Sequence, residues 1–159
     1  MHISAGQPDI THDFMAEHVV LLRSSFRQLT GKELVPSELS DSEAAHFLFD
    51  APFAVISHNS DADPLFNYAN RKAMQLFEMA WPEIIGLPSR MSAEPVNQDE
   101  RARLLQRVRE RGYIDNYSGI RISASGRRFR ISDAIVWNLT NELGEPAGQA
   151  AMFSNREFV

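Results

Sequence analysis

The chain has 159 residues, 43% of them hydrophobic and none of them cysteine, and a formal net charge of −5. This length suits one domain able to bury roughly 70% of the surface its unfolded chain exposes, and without cysteine there is no thiol nucleophile, disulfide scaffold or cysteine metal site. No apolar run approaches the roughly 20 residues of a spanning helix, and an N-terminus carrying Asp9 and Asp13 does not read as a signal peptide, so a soluble cytoplasmic protein with no membrane partner is expected.

Residues 1–10 read as a loose tail. Thr11 is a candidate N-cap with Asp13 in the first turn, and Gly31 a stop, which predicts a helix near 12–30. Met15, Val19, Leu22, Phe26 and Leu29 are spaced 4, 3, 4, 3, a two-heptad seam suited either to a dimer contact or to docking on the chain's own domain. Leu34–Leu39 with Pro36 is a connector. Ser40 and Glu43 then form a capping box for a helix through Ala44, Ala45, Phe47 and Leu48 that stops before Pro52. The expected division is therefore a tail and amphipathic helix at 1–38 and the main domain at 39–159.

Phe53–His58 is strand-like, Asn59–Pro64 a turn cluster, and Leu65–Tyr68 a second strand. Asn70 can cap a helix carrying Ala73, Met74, Leu76 and Phe77, and Trp81-Pro82 opens a single turn closed by Gly86. Asn97 is the expected cap of a helix with the stripe Leu104, Leu105 and Val108, ended by Gly112, its arginines at 101, 103, 107, 109 and 111 facing water. A hairpin follows, two alternating strands joined at Ser125-Gly126. Tyr117, Gly119, Arg121 and Ser123 share one face of the first strand. Strict alternation in the second puts Phe129, Ile131, Ile135 and Trp137 on one face, with Arg128, Arg130, Ser132 and Asn138 opposite. Asp133 interrupts the apolar face, which calls either for a bulge that turns it outward or for a pocket role. After a turn at Asn141–Gly144, a last strand is predicted at Gln149–Phe153. Strands split by helices, with tight hairpins and no parallel crossover, predict an α+β fold: a five-stranded antiparallel sheet with helices on one face, plus the N-terminal helical extension.

Between Arg101 and Arg130 nine arginines meet only Glu110 and Asp115. Such a segment could face an anion, an acidic surface or nucleic acid, but it lacks interleaved aromatics, so a solvated helix face plus an arginine-rich strand is the favoured reading and nucleic acid is not expected. His2, His12, His18, His46 and His58 make no metal spacing, and no metal is expected. No phosphate loop, nucleophile elbow or HExxH motif is present, so no enzyme is expected.

Phe53-Ala-Val-Ile-Ser, Leu65-Phe-Asn-Tyr-Ala-Asn70 and the strand after Asn141-Glu-Leu-Gly144 resemble the PAS fold over residues 45–153. Gly86-Leu-Pro-Ser-Arg-Met-Ser-Ala93, Asp115–Ser123, Gly126-Arg-Arg-Phe129, Val136-Trp-Asn138 and Gly148-Gln-Ala-Ala151 resemble in particular the MEKHLA domain, a PAS-related family, with the N-terminal helix outside the match. The resemblance implies a sensory or regulatory module that binds a small molecule, anionic or aromatic, between sheet and helices. It would signal through self-association, as a homodimer, or through a protein partner; the alternative is a ligand-free interaction module with a filled core. The implied ligand-binding residues are Asn70, Ser89, Arg90, Tyr117, Arg121, Phe129, Trp137 and Gln149. Arg90 is read as an anion fork with Arg121, or as a structural partner of Asp133, Glu94 or loop carbonyls. Tyr117 and Trp137 suit either a cavity or a plain core. Light-sensing LOV domains, also similar, keep a cysteine where Ser89 stands, and strand amides where Arg121 and Ile131 stand. Flavin is therefore not expected, nor is haem through His46 or His58, for which a surface or capping role is favoured.

Overall fold

The computed structural model describes residues 7–159, with residues 10–12 described by backbone alone. The expected tail thus falls mostly outside the described residues, and the Thr11 cap outside the described side chains. After a 3₁₀ turn at Ile10–Met15, the helices are α1 (Ala16–Thr30), α2 (Asp41–Phe49), α3 (Arg71–Phe77), α4 (Trp81–Ile84) and α5 (Pro95–Arg111). The strands are β1 (Ala54–His58), β2 (Phe66–Ala69), β3 (Tyr113–Ile122), β4 (Arg128–Thr140), β5 (Pro146–Phe153) and β6 (Asn155–Phe158). They form one antiparallel sheet in the order β2-β1-β5-β4-β3, the fold class read from sequence. A sixth short strand extends it: β6 runs on from β5 and pairs with the first half of β4.

Local signals set most element ends. Ser40 Oγ accepts the Glu43 N–H at 3.2 Å while the Glu43 carboxylate takes the Ser40 N–H at 2.9 Å, closing the capping box. Gly31 and Gly112 end α1 and α5 as expected. The Asn97 cap is corrected: α5 begins two residues earlier at Pro95, because proline's fixed φ and missing N–H suit the first turn. Glu94 precedes it without capping, since its carboxylate is paired with Arg128.

Strict alternation along β4 is also corrected. Asp133 has φ 54°, and β3 residues Tyr117 and Gly119 pair with Ala134 and Ile131, so β4 carries one extra residue there. This bulge reverses the parity of everything after it. Phe129 and Ile131 therefore share a face with Ala134, Val136 and Asn138, whereas Ile135, Trp137 and Leu139 turn to the other side. Asp133 itself points outward and accepts a hydrogen bond from Asn155 Nδ2 at 2.8 Å.

The apolar far side of β4 is what α1 covers. Phe26 meets Trp137 edge to face at 4.9 Å between centroids, and Ser25 Oγ takes the Thr140 N–H at 3.1 Å. His18 Nε2 lies 2.9 Å from Ser57 Oγ on β1. Val19, Leu22 and Phe26 are sealed in the same core as the sheet, with Met15 and Leu29 packed at its margin. The seam offered as a dimer contact is thus used on the chain's own sheet. Arg23, also buried, donates to the Pro36 and Leu39 carbonyls and so fixes the connector to α1.

Candidate functional site

On the opposite face, α5 and the end of α3 lie over β1, β3, β4 and β5. Between them is a cavity of about 50 Å³, lined among others by Ile56, His58, Phe77, Ser92, Arg101, Leu104, Leu105, Tyr117, Arg121, Ile131, Val136, Gln149 and Phe153. On the scale where one water needs roughly 10–15 Å³, this holds a few waters or a small ion.

Each polar group has a local reason to be there. Tyr117, Gly119 and Arg121 alternate onto the cavity face of β3. A Cβ on Gly119 would stand 2.2 Å from Tyr117 Oη and 3.0 Å from Arg121 Nη1, so glycine alone leaves room for the tyrosine to lean over the arginine. Arg121 Nη2 donates to Tyr117 Oη at 3.1 Å and Nη1 to the Ile120 carbonyl at 2.9 Å; the tyrosine hydroxyl then donates to Glu100 at 3.0 Å. His58 and Gln149 face each other across β1 and β5. Their strands close tightly because Gly148, at φ +123°, puts no Cβ against the His58 carbonyl oxygen, which would be only 2.0 Å away.

Arg101 comes from α5. It was expected to face water with its neighbours; instead it is 8% exposed, while Arg103, Arg107, Arg109 and Arg111 are exposed. Its position explains this, because 101, 104 and 108 stand three and four apart and form the helix's buried stripe. Among the described residues, its guanidinium has no hydrogen-bond or ion-pair partner. Burial first, and the nearby Arg121 second, push its pKa down to about 10.

Of the five buried side-chain atoms that lack partners among the described residues, two belong to cavity residues, His58 Nε2 and Gln149 Oε1; Tyr68 Oη, Ser89 Oγ and Trp137 Nε1 lie elsewhere. The His58 Nδ1 sits 2.9 Å from the Asn59 carbonyl, so that nitrogen carries the proton and Nε2 is a free acceptor. Burial pushes this imidazole down to about 4, and it is neutral near pH 7. Gln149 Nε2 donates to the Leu105 carbonyl at 3.0 Å and Asn138 Oδ1 at 3.2 Å, which leaves its oxygen buried without a partner.

Of the residues singled out from sequence, the structure brings together Tyr117, Arg121 and Gln149. Phe129 is buried beside them, edge to face with Phe77 at 5.3 Å, without lining the cavity. Asn70 is fully engaged elsewhere: its oxygen accepts from Val55 and Ala73 and its nitrogen donates to Leu48 and Phe53, so it joins β1, α2 and α3. Ser89 is buried outside the cavity. Arg90 is half-exposed and pairs with Asp63 at 3.2 Å, so it forms no fork with Arg121. Trp137 lies under α1, turned there by the β4 bulge. Arg101 and His58 were missed as cavity residues, although helical spacing and strand alternation with Ile56 both carried the signal. Among the described residues, no group of three or more His, Asp or Glu could hold a metal ion, and no helix is long and apolar enough to cross a membrane.

The model of the MEKHLA domain family matches residues 16–158, so α1, expected to lie outside the match, falls within it. No curated protein matches the chain by sequence. Similar solved structures include the PAS domain of a protein from Colwellia psychrerythraea, at 13% identity and a TM-score of 0.60, covering 72% of this chain and 92% of that one. An RNA-binding light-oxygen-voltage receptor is similar at 16% identity and a TM-score of 0.63, over 80% of this chain but only 35% of that one. A light-oxygen-voltage domain studied with a flavin analogue is similar at 18% identity and a TM-score of 0.52, covering 67% of this chain and 76% of that one. At these identities the likeness concerns the fold. The residues present do not fit a flavin: about 50 Å³ cannot take three fused rings, and Arg101 and Arg121 stand in that space.

Proposed function

The chain belongs to the MEKHLA domain family, and on that premise we propose that it is a sensory or regulatory module that acts by binding, not catalysis, and takes a small molecule between α5 and the sheet. The observation that carries this is the cavity's surplus of unmatched polarity. Arg101, Arg121, His58 and Gln149 are each more than nine-tenths buried, and His58 Nε2 and Gln149 Oε1 lack partners among the described residues. Leaving such groups without partners costs about 1–3 kcal/mol each, a cost a bound ligand would remove. Occupancy would reach α1 through β1, whose residues alternate between His58 in the cavity and Ser57 under His18. The state would then be read by a protein partner or a second copy of the chain.

A ligand-free interaction module is the second reading, favoured by the cavity's small size. A thermal-shift screen of small metabolites against the wild type and Ala151→Leu, which fills the cavity from β5, separates the two. The sensory reading expects stabilising compounds that lose their effect in the variant. Absence of any such compound supports the interaction module.

A further inference from the structure

The cavity's polar groups divide into two chemically opposite halves. On α5 and β3 stand the guanidiniums of Arg101 and Arg121, which can only donate. The acid tied to them, Glu100, reaches Arg121 only through the Tyr117 hydroxyl. One further negative charge would balance the pair. On β1 and β5 stand His58 Nε2 and Gln149 Oε1, both acceptors whose orientation is fixed by the bonds their ring and amide partners already make. Between the halves the walls are carbon, from Leu104, Ile131, Val136 and Phe153.

From this placement we propose that the cavity takes a short 2-hydroxy carboxylic acid, its carboxylate on Arg101 and Arg121 and its one hydroxyl proton donated to His58 Nε2. The proposal rests on the reading of the cavity as a ligand site and adds the ligand's class. A flat carboxylate matches the guanidinium fork, and the apolar wall calls for carbon beside it. An inorganic oxyanion satisfies the arginines but places no carbon against that wall. A 2-amino acid would bring an ammonium to an end of the cavity that already feels Arg101 and Arg109. The volume of about 50 Å³ limits the chain to a few heavy atoms.

Isothermal titration at fixed ionic strength with glycolate, acetate, glycolamide, glycine and inorganic phosphate tests this. Glycolate should bind at least tenfold tighter than each of the others. Arg121→Gln and Arg101→Met should each weaken glycolate at least tenfold, with folding of both variants confirmed by circular dichroism. Glycolamide or phosphate binding as tightly as glycolate overturns the carboxylate, and acetate or glycine doing so overturns the hydroxyl. Unchanged glycolate affinity in folded Arg101→Met also overturns the proposal. If compounds of another class bind and Ala151→Leu blocks them while glycolate does not bind, the ligand class falls and the ligand site stands. If nothing binds that Ala151→Leu blocks, both fall.

Discussion

Replacing Arg101 by methionine should make the ligand-free protein more stable. The wild-type side chain keeps a positive charge in a site 8% exposed, beside a second buried arginine and with no partner among the described residues. Burial lowers its pKa from the ordinary guanidinium range to about 10, which corresponds to roughly 3 kcal/mol against the charged form at neutral pH. Methionine keeps much of the aliphatic stem, so its packing on Leu104 is largely retained. Allowing for imperfect packing, the net gain should be roughly 1–2 kcal/mol, or a rise in Tm of about 4 °C for a domain of this size. Urea unfolding of both proteins, after refolding from denaturant to strip any bound molecule, reads this directly at matched m-values. A loss of about 1 kcal/mol or more in Arg101→Met would refute the reasoning, because it would make the arginine a structural tie instead of an unfilled half of a binding site.

Phe26→Ala should cost about 3–5 kcal/mol, since a sealed aromatic on Trp137 is lost, and it should leave the oligomeric state unchanged in sedimentation. A dissociated dimer with undiminished fold stability would instead restore the heptad seam as an intermolecular contact. His58 is neutral in the fold with its pKa lowered to about 4, against 6.5 unfolded, so the unfolded chain takes up the proton first. Stability from this group is therefore intact above about pH 6.5 and falls as pH drops toward 4, by up to roughly 3 kcal/mol. His58→Gln should flatten that part of the stability profile, and an acid limb identical to wild type would contradict the assignment. Gly119→Ala should push the Tyr117 ring off Arg121 and cost about 1–3 kcal/mol in chemical denaturation, because its Cβ would stand 2.2 Å from the tyrosine oxygen. Wild-type stability in this variant would show that the tyrosine does not need the gap.

Elements encoded within a few residues were legible in the sequence: the Ser40–Glu43 capping box, the Gly112 stop and the Ser125-Gly126 hairpin turn. What was not legible depends on one inserted residue. Strict period-two alternation carries no bulge, and leaving out the one at Asp133 put Trp137 on the cavity side and Asn138 on the other. Asp133 was itself the clue, as a charge inside an apolar alternation. Once Ile135, Trp137 and Leu139 face away from α5, that side of the sheet needs a cover, which settles where the α1 seam goes; the helix's own sequence is equally compatible with a partner. Arg101 was lost for a different reason: charge was weighed above spacing, although its place on the Leu104–Val108 stripe points inward. Tyr117, Arg121 and Gln149 were found because simple alternation holds along the parts of β3 and β5 that carry them.

The claim that the buried arginine pair exists to hold an acid is read most directly in a crystal structure grown with saturating glycolate. Density for one carboxylate within hydrogen-bonding distance of both Arg101 and Arg121, with the hydroxyl toward His58 Nε2, is the predicted result. A cavity holding only water, with Arg101 turned out to solvent, would contradict it.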